Sequence, residues 1–455
     1  MRYVSTRNNS KEYNFEDVFI KGLADDGGLY VPTSIKKYSI EELSKLKNLN
    51  YNELSTEIIN QFSSDFISRD ELSSLIKKSY STFREKEVVK ISSVGELKLL
   101  ELFHGPTLAF KDIAMQFIGN LYEYYLSKND KKINIIVATS GDTGAAAIDA
   151  IKGKSNLNIF VLHPNNRISS VQRKIMTTVE ETNVFNIAID GNFDDCQNIV
   201  KEMFSDLDFS KSINMSGVNS INWARIITQA VYYFYSYFKL EKDIVSFSVP
   251  TGNFGDVFAG YLAKKMGLPI DKLIVATNEN DILHRAISKG DYVSKEVKET
   301  ISPSMDIQLA SNFERLIYYI NNSDSEITAN IMNKIKQNSY HIEKNNLDKI
   351  QKDFISETCN ERETLEIIKK KYEENNIVLD PHTAVGVGAA GKLFFNDCIV
   401  LSTAHPCKFP DATINAINKH EKLPKELQHV IDKDENFKVL NNNVKEIKNF
   451  IESKV

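Results

Sequence analysis

A unit that recurs along the chain constrains its fold more than any other feature: a short β-branched run, a turn, then an amphipathic helical pattern. The runs at 133–138, 158–162, 184–189, 244–249, 272–276 and 398–401 are largely apolar, without polar alternation. A strand of that kind is buried on both faces, and a mainly parallel sheet with helices above and below provides that burial. The sequence therefore predicts an α/β fold with parallel sheets flanked by helices. Before residue 90 the texture is different, polar and helical, with apolar residues at three- and four-residue steps over 15–20, 40–46 and 54–66. The cluster Ala24-Asp25-Asp26-Gly27-Gly28-Leu29-Tyr30-Val31-Pro32 reads as a turn that this pattern cannot cross. Residues 321–376, rich in Asn, Lys and Glu with Ile and Leu at helical spacing, read as a surface helical excursion with no strand.

Composition removes several classes of function. With 56 Lys plus Arg against 61 Asp plus Glu in 455 residues, the net charge is −5, and no basic block tracks a phosphate backbone, so no nucleic-acid partner is expected. No stretch approaches the ~18 to 20 apolar residues of a membrane span, and the first 15 residues carry no signal-peptide core. Cys196, Cys359, Cys398 and Cys407 lack zinc or disulfide spacing. The expected setting is a reducing cytoplasm, with no metal and no membrane.

In open α/β sheets, ligands sit beyond the carboxyl ends of the strands, and three loops there are rich in Gly, Ser, Thr and Asn. The loop Pro250-Thr251-Gly252-Asn253-Phe254-Gly255-Asp256 joins a strand to a helix. Its glycines permit close approach and the free amides of the helix start favour an anion, as in a phosphate cup; a ligand-free βα turn is the plainer reading. The loop Thr139-Ser140-Gly141-Asp142-Thr143-Gly144 offers hydroxyls and amides to a carboxylate or second phosphate. Asp142 is dissonant there, and the reading favoured is an ordinary helix cap over a working polar group. In His104-Gly105-Pro106-Thr107-Leu108-Ala109-Phe110-Lys111-Asp112, a lysine opens a helix among apolar neighbours. A helix start repels an ammonium, so the lysine is expected to favour the neutral amine that forms imines, against the plainer reading of a side chain reaching solvent. A fourth strand end is Ser402-Thr403-Ala404-His405-Pro406. The histidines His104, His382 and His405 show no triad or metal spacing.

Taken together and in order, these strings resemble the threonine synthase family within fold-type II pyridoxal-phosphate enzymes. The N-terminal strings Tyr3-Val4-Ser5-Thr6-Arg7 and 22–32, the string 219–225 and the string 380–386 extend the likeness over most of the chain. The resemblance implies a fold like the β chain of tryptophan synthase, with an N-terminal, mainly helical domain over 1–90. It implies a catalytic region over 91–430 of two α/β subdomains, the smaller at about 112–215, and a C-terminal helical tail over 431–455. It implies that Lys111 holds pyridoxal 5'-phosphate as an imine, that Gly252, Asn253, Phe254 and Gly255 cradle its phosphate with Asp256 beside them, and that Thr403 faces the pyridine nitrogen. Thr139, Ser140, Gly141, Asp142 and Thr143 would bind the substrate carboxylate, and Arg225 the substrate phosphate; a helix-surface salt bridge is the plainer reading of Arg225.

The activity implied is that of a carbon–oxygen lyase in amino-acid biosynthesis: O-phospho-L-homoserine and water give L-threonine and phosphate. Lys111 would remove the Cα proton, γ-phosphate would leave, and water would add at Cβ. The alternatives are a threonine synthase-like phospho-lyase giving 2-oxobutyrate, ammonia and phosphate, or a catalytically silent cofactor-binding protein. Serine and threonine dehydratases rank lower because they lack the N-terminal domain. A monomer and a homodimer are both compatible with the sequence.

Overall fold

The computed structural model describes residues 1–129 and 131–455. Strands β1 (Tyr3–Ser5) and β2 (Tyr30–Pro32) pair antiparallel and, with the helices Phe15–Lys21, Ile40–Leu46, Tyr51–Ser63 and Arg69–Tyr80, form the N-terminal region. Three of those helices open on capping boxes, Ser39 with Glu42, Asn50 with Glu53 and Ser68 with Glu71, which satisfy the first free amides locally. The turn expected over 24–32 is shorter than its sequence signal. Tyr30, Val31 and Pro32 are buried and extended, because they pair with the first strand of the chain.

Two larger sheets follow. Strands β3 (Lys90–Val94), β4 (Leu97–Glu101), β5 (Ile133–Ala138), β6 (Leu157–Pro164), β7 (Val184–Asp190), β8 (Met215–Ser216), β9 (Val245–Pro250), β10 (Ile270–Thr277), β11 (Phe354–Thr358), β12 (Ile399–Ser402) and β13 (Lys438–Asn441) divide between them. The six-stranded sheet has the order β11-β10-β9-β12-β4-β3 and is parallel except for the β3/β4 pair. The five-stranded sheet, β13-β7-β6-β5-β8, is parallel throughout. All six apolar runs are strands of these sheets, as their double-sided burial requires.

Two expectations are corrected. The stretch 321–376 is not wholly helical: Phe354–Thr358 adds an edge strand parallel to β10. Only Phe354 and Ser356 are buried, two alternate residues on one face and one of them polar, too little to rise above the charged helical pattern around them. Nor is 431–455 only helical, since Lys438–Asn441 pairs with β7 and buries just Leu440 before the helix Val444–Glu452 begins.

The helix Trp223–Lys239 is the hub of the main core, with nearly every residue buried. Trp223 meets Tyr3 and Phe62 of the N-terminal region edge-on at 6.2 and 5.8 Å, so that region has no separate core. The helix Lys111–Lys128 packs as closely on Asp142–Ile151. A Cβ at Gly119 would lie 2.3 Å from the Ala150 carbonyl oxygen, so only glycine permits this approach. Gly119→Ala is expected to cost about 1–3 kcal/mol of stability, seen as a lower urea midpoint at unchanged slope. An unaltered midpoint would contradict the packing.

Candidate active site

The loops after the carboxyl ends of β5, β9 and β12, each singled out by sequence, come together around Lys111. Lys111 is the first residue of its helix and is buried. Its Nζ lies 3.6 Å from Asp142 Oδ2 and 3.5 Å from Ser304 Oγ, and over the Phe110 ring at 4.9 Å from its centre. Burial lowers the lysine pKa; the Lys408 and Arg225 charges lower it further, while Asp142 opposes them. The neutral amine is thus favoured chiefly by desolvation rather than by the helix start. The loop before it is tightly made: Asp112 accepts from the Thr107 amide at 2.8 Å and hydroxyl at 2.5 Å, and Leu108 is left-handed at φ 65°. Burial raises the Asp112 carboxyl to about 6.

The 250–256 loop has the form of an anion cup. Phe254 holds a left-handed φ of 63° at the start of the helix Gly255–Lys265, a conformation costing about 1–3 kcal/mol for a residue with a side chain. It is held by Phe313, edge-on at 5.2 Å, and by Asn312, whose amide and Nδ2 both donate to the Asn253 carbonyl at 3.1 Å. Arg315 braces Asn312 in turn, donating to its Oδ1, to the Ile221 carbonyl at 2.6 Å and to the Tyr30 carbonyl at 3.1 Å. The N-terminal sheet is thereby tied to the cup. A Cβ at Gly252 would lie 2.4 Å from the Ser304 carbonyl oxygen, so the cup wall and the residue facing Lys111 are one surface.

Asp256 is buried, with Oδ1 accepting from Tyr232 at 2.5 Å and Tyr233 at 3.0 Å while Oδ2 has no partner; burial raises it to about 6. Arg225 is buried as well, with one bond to the Val218 carbonyl at 3.3 Å and an unpartnered Nε, and burial lowers it to about 10. The surface salt bridge for Arg225 is therefore ruled out. Thr403 lies beside the lysine, its carbonyl accepting from the Phe110 amide at 2.8 Å.

In the 139–144 loop, Thr139 Oγ1 accepts from the Gly141 and Gly144 amides at 2.9 and 2.8 Å, so this hydroxyl builds the loop. Ser140 and Thr143 are half-buried. The favoured reading of Asp142 as a helix cap is overturned: Gly141 is the cap residue, no side chain caps this helix, and Asp142 Oδ1 lies 2.5 Å from Lys408 Nζ. Gln172 Nε2 donates to the same oxygen at 2.8 Å. Burial alone would raise this carboxyl, but Lys408 and Lys111 outweigh it and hold it well below the ordinary carboxylate range. Sequence reasoning gave His382 no role beyond a structural histidine and passed over Ser304. His382 Nε2 accepts the Ser304 amide at 3.2 Å, so its proton sits on Nδ1, toward Asp380 Oδ1 at 2.9 Å.

Pyridoxal phosphate fits these residues. The glycine cup leaves no room for a side chain, a buried lysine faces it, and two polar atoms, Asp256 Oδ2 and Arg225 Nε, are buried without partners. Among the described residues no cluster suits a metal ion, and no helix is long and apolar enough to cross a membrane.

Comparison with known proteins agrees. Residues 2–80 match the threonine synthase N terminus, 94–330 the pyridoxal-phosphate dependent enzyme family, and 383–451 the threonine synthase C-terminal family. The chain is 43% identical to threonine synthase of Pseudomonas aeruginosa, over 99% of this chain and 98% of the relative. It is 36% identical to human threonine synthase-like 2, over 91% and 89%. The crystal structure of pyridoxal-phosphate-bound threonine synthase from Brucella melitensis superposes with a TM-score of 0.96 at 42% identity, covering 100% of this chain and 99% of the other. The yeast threonine synthase structure gives 0.94 at 43%, with 100% and 98% covered. This chain belongs to the threonine synthase family of fold-type II pyridoxal-phosphate enzymes.

Proposed function

We propose that this chain takes O-phospho-L-homoserine and water to L-threonine and phosphate in the cytoplasm. The observation that carries the reading is the Lys111 amine, buried where three strand-end loops meet and 3.6 Å from a carboxylate already paired elsewhere. Bound pyridoxal phosphate supplies the electron sink for charge developing on the substrate carbon chain.

The chain's own residues do the rest. The amides at Gly252, Asn253, Phe254 and Gly255 would take the cofactor phosphate, with Asp256 beside them. Lys111 would hold the cofactor, and its neutral amine would move the proton at the substrate Cα. Thr403 would offer the ring nitrogen a neutral hydroxyl, which would not hold it protonated as a carboxylate would. Ser140, Gly141, Asp142 and Thr143 line the place of the α-carboxylate, with Thr139 keeping their loop in shape. Arg225 is the partner assigned to the substrate phosphate: its guanidinium has a free Nε and no carboxylate within salt-bridge distance among the described residues.

The direct test is a proton and phosphorus NMR time course with pyridoxal phosphate and O-phospho-L-homoserine. L-threonine matching phosphate one to one is expected. Phosphate with 2-oxobutyrate would establish the phospho-lyase instead, and no phosphate would remove the substrate. Lys111→Ala is expected to lose the visible absorbance and all turnover, and a coloured, active variant would refute the lysine's role. Arg225→Ala is expected to raise KM for the phosphorylated substrate at least about tenfold, the loss of roughly 1.4 kcal/mol of binding. An unchanged KM would remove Arg225 from the phosphate site.

A further inference from the structure

The cleft holds one carboxylate between two ammonium groups, and the nearer of the two is not the one that reacts. Lys408 is wholly buried in the turn Pro406–Lys408, which follows β12 of the six-stranded sheet. Its Nζ lies 2.5 Å from Asp142 Oδ1 and donates to the Thr107 carbonyl at 2.8 Å, while its own carbonyl accepts the Ser169 hydroxyl at 2.9 Å. Asp142 opens the helix after β5 of the five-stranded sheet, so the ion pair crosses from one sheet to the other. Lys111 Nζ stands 3.6 Å from the remaining oxygen. A buried carboxylate left unpaired is costly, and Asp142 would take whichever ammonium the fold offered.

We propose that Lys408 is a positioning residue of the active site: its ammonium takes up the charge of Asp142, which leaves Lys111 free to react as a neutral amine. The proposal rests on the reading of Lys111 as the cofactor lysine. Without Lys408, Asp142 would keep a single ammonium within reach, that of Lys111. A lysine held as ammonium has no lone pair with which to bond a carbonyl carbon or take a proton. The other charged groups that act on Lys111 are Arg225 and Asp256, and both stay unchanged in the variants below.

The signs follow from the geometry. Removing Lys408 takes away a repelling cation and frees an attracting anion, so Lys111 should hold its proton to higher pH. Removing the charge of Asp142 alone leaves the repulsion and should do the reverse. Removing both should nearly cancel.

The readout is the rate at which the full-length protein, freed of cofactor with hydroxylamine, gains visible absorbance on adding pyridoxal phosphate, followed against pH. In that reaction the lysine nitrogen bonds to the aldehyde carbon and one water leaves. Lys408→Met is expected to move the pH midpoint up by about one unit or more, and Asp142→Asn to move it down. The double variant should return toward the parent, and Lys408→Arg should stay close to it. A Lys408→Met midpoint equal to the parent's, or a double variant no closer to the parent than Lys408→Met, would overturn the proposal. Should Lys408→Met fail to fold, Asp142→Asn decides, and no downward shift would overturn it. A parent protein that gains no absorbance would defeat the reading of Lys111 itself, a distinguishable failure.

Discussion

Burial of charge at the junction of two sheets is the constraint on which this structure turns. Lys111, Asp142, Lys408, Arg225 and Asp256 are all withdrawn from water, and only Asp142 and Lys408 make a close ion pair. Charges so placed must be paired, neutralised or left for a ligand. Asp142 and Lys408 take the first course, and burial pushes Lys111 toward the second. Asp256 Oδ2 and Arg225 Nε, with no partner among the described residues, fall under the third. The packing around them serves to hold that arrangement. Leu108 and Phe254 accept left-handed backbones next to the lysine and in the cup, strain that buried surroundings can sustain.

The N-terminal region has a part in this that its distance from the chemistry conceals. The helix Trp223–Lys239 packs against it through Trp223 and carries Arg225 two residues further on. Arg315 bonds the Tyr30 carbonyl on one side and, through Asn312, grips the cup on the other. Arg7 and Thr6 bond the buried Glu314 in the same helix. Removing the N-terminal region would expose the main core and unbrace the cup together.

Much of this was legible in the sequence because the physics is local. Apolar runs without alternation marked β5, β6, β7, β9, β10 and β12, though not β4, and loops of Gly, Ser, Thr and Asn at their ends marked the candidate site. A lysine among Leu108, Ala109, Phe110 and Ile113 marked the buried amine of the candidate site. What escaped depends on partners remote in sequence. Tyr30–Pro32, Phe354–Thr358 and Lys438–Asn441 are short strands whose extension comes from a neighbour, so their own residues carry little period-two signal. Asp142 looked like a helix cap since nothing nearby in the sequence names Lys408 as its partner. The signal for Lys408 was nonetheless present: Pro406, Cys407 and Phe409 flank it with the apolar company that singled out Lys111. Ser304 had no such mark, and the fold alone brings it to the lysine and His382 to its amide.

The central claim is that one buried lysine, Lys111, carries the cofactor. Borohydride reduction of the cofactor-loaded protein, followed by peptide mapping, tests it most directly. The account requires a single reduced phosphopyridoxyl group on Lys111, at one per chain. A label on Lys408 or any other lysine, with Lys111 unmodified, would contradict it.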